Sequence, residues 1–148
     1  MNTEKDFPVL PNLGILLENV LLYPNLTGFE NLEYLAKFNR KTDKTGIIEA
    51  LRKVGLEPAD KRKYGKYSLG MKQRLAIAQA IMEKPDILML DEPTNALDQD
   101  SVNMVRNLIE KEKLRGDMIL LASHNKEDIQ LLCDHIFTMD EGTIVGRR

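Results

Sequence analysis

A chain of 148 residues with 43% hydrophobic content has room for one domain with a real core and not for a second independent one. Its 21 Lys and Arg set against 23 Asp and Glu leave a formal charge of -2, which removes the electrostatic case for nucleic acid or an anionic membrane surface as a partner. The single cysteine, Cys133, can form no internal disulfide and has no second cysteine for a zinc knuckle or redox pair, so a reducing cytosol is the natural compartment.

In chain order, Met1 to Lys5 lead into no apolar h-region, and the longest apolar runs, Ile87–Leu90 and Met118–Ala122, are far too short to span a bilayer; work at a membrane would be peripheral. Gly14–Leu17 reads as a short buried strand. After the turn Tyr23-Pro24-Asn25, Thr27 and Glu30 make a capping box that opens a helix to about Phe38. A second helix fits Thr45–Val54, burying Ile47, Ile48, Leu51 and Val54, with Gly55 where a left-handed cap belongs. The lysine-rich stretch Glu57–Lys66 is a loop, and Ser68 stands as N-cap of a helix to about Met82. Ile87–Leu90, ended by Asp91-Glu92-Pro93, has the form of a central parallel strand that delivers charged side chains into a crevice at its carboxyl end. A helix from about Gln99 to Arg115, the strand Met118–Ala122, a helix Lys126–Leu132, and an antiparallel pair, Ile136–Met139 and Thr143–Val145 around the turn Asp140-Glu141-Gly142, complete the chain. Strands alternating with helices predict an α/β layered domain.

The informative series is Tyr67-Ser68-Leu69-Gly70-Met71-Lys72-Gln73-Arg74, then Ile87–Pro93, then Asn95-Ala96-Leu97-Asp98, then Ser123-His124. In order and spacing it resembles the signature motif, Walker B strand, D-loop and switch histidine of ABC ATPases, over nearly the whole chain. "LYPNLTGFENL" and "YSLGMKQRLAIAQAI" look most like bacterial export-type subunits related to antibiotic and lantibiotic exporters. The resemblance implies a P-loop NTPase-like partial parallel sheet flanked by helices. Within residues 1–148 it places a Q-loop region at 14–27, a helical subdomain through the signature helix at 28–82, and the Walker B, D-loop and switch-histidine part of the core at 83–148. It also implies ATP and Mg as cofactors.

Phosphoryl transfer to water needs the water positioned and charge on the phosphate oxygens stabilised. By the resemblance, Asp91 holds Mg through water and Glu92 orients and activates the attacking water. Successive side chains leaving a strand end in alternating directions would separate these tasks. Taken alone, Asp-Glu-Pro would do no more than stop a strand; four apolar residues before it and Asn95–Asp98 after it argue for the chemical role. Ser68 and Gly70 open a helix, where free N–H groups and the helix dipole form an anion site, and the resemblance assigns that phosphate to ATP held by a second subunit. Ser68 serves equally as an N-cap. Three positions depart from the family's Leu-Ser-Gly-Gly-Gln: Tyr67 for Leu, Leu69 for the first Gly, Met71 for Gln.

His124 follows an apolar β-run and is expected at the same sheet edge as Asp91 and Glu92, bonding the γ-phosphate or the water. His135 has no motif around it. Asp98 matches the D-loop aspartate, and a helix N-cap would use the same residue. Gly14–Glu18 resembles the Q-loop segment, with Glu18 in place of the usual Gln as a nucleotide and Mg contact; the alternative is a solvated glutamate ending a strand.

A phosphate-binding loop reads G-x-x-x-x-G-K-[ST] because successive backbone N–H groups and a lysine must cradle the phosphates. This sequence has none: its Gly-Lys pair, Gly65-Lys66, is followed by Tyr67 and preceded at the needed position by Asp60. The expectation is that the loop, its helix and the early antiparallel strands lie upstream, cut away from this chain, and that the chain alone binds ATP poorly, turns it over negligibly and self-associates through uncovered faces. The resemblance implies a transmembrane permease subunit and a second nucleotide-binding subunit as partners, on the cytoplasmic face of the membrane. Two alternatives stay open: a non-catalytic docking or dimerisation module, and the C-terminal lobe of a chromosome-maintenance or repair ATPase, against which stand the absence of a heptad run and the Q-loop-like start.

Overall fold

The computed structural model describes residues 12–18, 20–39 and 41–148; Met1–Lys5 lie outside them. Three strands, β1 (Leu13–Leu16), β2 (Ile87–Asp91) and β3 (Met118–Ala122), pair in parallel in the order β1-β2-β3. Parallel neighbours require crossover segments, and here these are helical. Helices α1 (Gly28–Asn39), α2 (Lys44–Lys53) and α3 (Leu69–Ile81) lie between β1 and β2, and α4 (Gln99–Arg115) lies between β2 and β3. Helix α5 (Lys126–Leu132) follows β3, and β4 (Phe137–Asp140) and β5 (Thr143–Arg147) form a separate antiparallel hairpin.

Each boundary has a local cause. The capping box forms as its spacing predicts: the Thr27 N–H donates to Glu30 Oε2 at 2.6 Å and the Glu30 N–H to Thr27 Oγ1 at 3.1 Å. Asp43 caps α2 by accepting from the Gly46 N–H. At the other end Gly55, at φ +67°, closes a Schellman turn in which Leu56 N–H reaches Leu51 O at 2.9 Å and Gly55 N–H reaches Arg52 O at 3.0 Å. Gly116, at φ +104°, ends α4.

The core lies on one side of the sheet. Leu16, Leu88 and Leu90 are buried there with Leu75, Ala76, Ile77 and Ile81 of α3, Leu32 of α1, and Ile47 and Leu51 of α2. Helix α3 presses so closely on β1 that a Cβ at Gly14 would collide with the Ala80 carbonyl. The alternate positions Ile15, Met89 and Leu120 are exposed on the other face. The apolar run of β2 therefore fits a strand meant for cover on both sides, of which one is filled among the described residues.

Candidate functional site

The register decides which side chains meet at the carboxyl edge of the sheet. Leu16 pairs with Leu90, and Asp91 with Ala122, so Glu18, Glu92 and Ser123-His124 all follow within two residues of the strands' last paired positions. The chain does not simply run on past β2. Glu92 has φ +47°, a left-handed conformation that costs a non-glycine residue about 1–3 kcal/mol. Asp91 and Glu92 are thus separated by a backbone turn rather than by the pleat of the strand, a correction to the simple alternation expected from the sequence. Surrounding bonds hold the turn: Glu92 N–H donates to Ala122 O at 2.9 Å, which prolongs the ladder to β3, and Asn95 N–H donates to Glu92 O at 3.1 Å.

The turn delivers the Glu92 carboxylate to His124. Glu92 Oε1 accepts the His124 backbone N–H at 2.8 Å and also contacts the imidazole Nδ1. The Glu92 side chain is 19% exposed and that of His124 98%. A mostly shielded carboxylate fixed by a main-chain N–H, beside an imidazole open to solvent, suits one group that holds still and another that can move to a ligand.

Two further elements border this edge. Ser68 caps α3, its Oγ accepting from Met71 N–H at 3.2 Å, while the residue itself stays exposed. Gly70 faces the Ala96-Leu97 turn, where an added Cβ would lie 3.8 Å from Ala96 O. One turn further along the same face, Gln73 Nε2 donates to the carbonyls of Glu92 and Pro93, each at 3.2 Å. Asp98 caps α4 by accepting from Ser101 N–H at 2.8 Å, and that bond holds its carboxyl below the usual carboxylate range. Tyr67, standing in place of the signature leucine, is buried with its hydroxyl against Gly28.

His124 is followed by a buried polar cluster. Asp128, fully enclosed on α5, accepts from Thr94 Oγ1 at 2.5 Å and from Arg106 Nε at 2.7 Å, and Arg106 also pairs with Glu127 at 3.0 Å. This cluster ties the segment after His124 to the segment after Glu92. Sequence reading missed both Asp128 and Gln73. Gln73 had a usable signal, because it lies one helical turn from Gly70; nothing local to Asp128 in the sequence sets it apart from its charged neighbours Lys126 and Glu127.

Glu18 is exposed in the turn after β1. Among the described residues no group of three or more His, Cys, Asp and Glu is gathered to hold a metal ion. Asp91, the last residue of β2, and the exposed Glu18 offer carboxylate oxygens, the donor type of which Mg takes one or two beside waters and substrate phosphates. No helix among the described residues is long and apolar enough to cross a membrane.

Residues 5–95 match the family model for the ABC transporter. The chain is 46% identical over 140 residues to the uncharacterized ABC transporter ATP-binding protein YybJ of Bacillus subtilis, covering 95% of this chain and 64% of that protein. It is 42% identical to the bacitracin transport ATP-binding protein BcrA of Enterococcus faecalis, covering 90% and 44%, and 38% identical to the lantibiotic transport ATP-binding protein SrtF of Streptococcus pyogenes, covering 92% and 59%. The chain thus spans between 44% and 64% of the length of these relatives. Among solved structures, the dimeric structure of a bacterial ABC transporter cassette superposes with a TM-score of 0.82 at 25% identity, over 93% of this chain and 62% of that one.

Proposed function

The chain belongs to the ABC transporter family, as an ATP-binding protein, and from that membership we propose that it is the catalytic-edge part of the motor subunit of an export-type transporter, working with a second nucleotide-binding subunit and a membrane permease on the cytoplasmic face. The observation that carries this reading is the meeting of Glu92 and His124 at the carboxyl ends of neighbouring strands. Glu92, whose carboxylate is held by the His124 backbone N–H, would orient a water and accept its proton. His124, exposed on its ring, is the group that would bond the terminal phosphate. Asp91, with Glu18 as a second carboxylate, would hold Mg, which supplies charge neutralisation on the phosphate oxygens when bound. Ser68 is exposed at the N-terminus of α3, and its helix-end N–H groups, with that of Gly70, would contact nucleotide on a sister subunit. Asp98 would help arrange that sister site. The bacitracin and lantibiotic relatives support the export assignment.

The sequence contains no G-x-x-x-x-G-K-[ST] run. Losing three or more charge-assisted hydrogen bonds of about 1.5–3 kcal/mol each weakens nucleotide binding about a thousandfold or more. We therefore assign weak ATP binding and negligible turnover to this chain alone. That same observation favours a second reading, a docking or dimerisation module that lends its signature tip to a partner's nucleotide. Calorimetric titration of the purified chain with Mg-ATP is expected to give millimolar or weaker affinity, and steady-state assay no hydrolysis above background. Hydrolysis by the isolated chain that Glu92→Gln abolishes would overturn the assignment of negligible turnover. Saturable ATP-dependent pairing with a cassette that carries the loop, lost in Ser68→Arg, would favour the second reading over the first.

A further inference from the structure

We propose that Gln73 is a positioning residue for Glu92: its carboxamide holds the left-handed turn that aims the Glu92 carboxylate at His124, and so makes the orientation of α3 a determinant of the catalytic geometry. The inference rests on the role given to Glu92 above and extends it to a residue outside that assignment.

The geometry is a two-pronged clamp. The Gln73 amide nitrogen carries two hydrogens, and two successive carbonyls, those of Glu92 and Pro93, each stand 3.2 Å from it. These carbonyls belong to the turn where Glu92 departs from the strand at φ +47°. A residue held in that region persists only where its surroundings over-determine it. Three bonds supply the constraint: Glu92 N–H to Ala122 O on β3, Asn95 N–H to Glu92 O within the turn, and the Gln73 amide from α3. The first two come from the sheet and from the turn itself. The third comes from the helix whose first turn carries Ser68 and Gly70.

A shift of that helix tip on meeting a ligand would therefore be felt at the Glu92 carbonyl through a short, part-buried contact rather than through the sheet. The first turn of the helix lies beside the Ala96-Leu97 turn, with space at Gly70 for a Cβ in ordinary van der Waals contact. The Pro93 carbonyl takes its hydrogen bond from this side chain, which belongs to another element.

The test uses the 148-residue chain without nucleotide, so it stands whether or not the chain binds ATP. Backbone NMR measures amide hydrogen exchange at His124 and Asn95, together with the HN–Hα coupling of Glu92, which reports its φ. The variants are Gln73→Met and Gln73→Glu, similar in size but without the amide donors, and Gln73→Lys, which restores a donor. In the first two, exchange at His124 and Asn95 is expected to rise on the order of tenfold, about the worth of one side-chain hydrogen bond. The Glu92 coupling should move away from its left-handed value, Leu88 and Leu90 should keep wild-type exchange, and Gln73→Lys should recover most of the protection. Unchanged exchange at His124 and Asn95 in both donor-free variants would overturn the proposal. So would a uniform rise across the core, which marks a general packing role, or a Gln73→Lys protein indistinguishable from Gln73→Met. None of these outcomes bears on whether the chain hydrolyses ATP.

Discussion

Replacing Asp128 with alanine is expected to destabilise the fold by about 3–5 kcal/mol, the cost of leaving a buried ion-pair partner uncompensated. Asp128 is completely enclosed and the Arg106 side chain is 10% exposed. The guanidinium loses two contacts, at 2.7 Å through Nε and 2.6 Å through Nη2, and retains Glu127, whose side chain is 65% exposed. Thr94 Oγ1 loses its acceptor at the same time. Domains of this size lose about 2–4 °C of melting midpoint per kcal/mol, so the midpoint should fall by about 6–20 °C. The paired change Arg106→Met with Asp128→Leu removes both charges together and should recover most of that loss, because apolar groups of similar volume substitute well for a buried ion pair. Thermal and urea unfolding of the wild type, the singles and the double form the assay. An Asp128→Ala protein within about 1 kcal/mol of wild type, or a double variant no better than the single, would refute the reasoning.

Gly14→Ala should destabilise by about 1–3 kcal/mol, since the new Cβ would strike the Ala80 carbonyl and lie 2.8 Å from Pro85 Cγ; urea unfolding at wild-type midpoint would mean that α3 is not pressed on β1. The Glu30 carboxyl is held below its ordinary range by the Thr27 N–H first and by Lys63, and that of Asp98 by the Ser101 N–H. Depressed carboxylates contribute stability that is complete above their unfolded values near about 4 and is lost as pH falls through the folded ones. Helical circular dichroism between pH 6 and pH 2 should therefore decline less steeply in Glu30→Gln and Asp98→Asn than in wild type, and parallel curves would contradict both assignments.

Local chemistry made most of the fold legible in the residues. The Thr27-Glu30 box, Gly55 and Gly116 mark helix ends by rules that act over a few residues, and the structure places α1, α2 and α4 within a residue or two of those marks. The apolar runs 87–90 and 118–122 gave β2, which lies between two strands and needs no polar alternation, and β3, which stands at the edge of the described sheet. The candidate site was legible only in part. That Glu92 and His124 converge was implied by strand ends and by family resemblance. That Glu92 adopts a left-handed turn was not, because no glycine or asparagine stands there to signal it. The Thr94-Arg106-Asp128 cluster joins residues 22 and 34 positions apart, and periodicity carries no trace of which charged residue on an exposed-looking helix will find a buried partner.

The central claim is that the sheet edge at Asp91, Glu92 and His124 is where the nucleotide's terminal phosphate and its metal sit. Paramagnetic broadening by Mn-ATP, which detects even millimolar binding, measures this directly on the isotope-labelled chain. The account predicts that the amide signals of Asp91, Glu92 and His124 broaden first and that metal-free ATP leaves their widths unchanged. Broadening centred on the β4-β5 hairpin or on α2, with those three signals sharp up to saturating Mn-ATP, would contradict it.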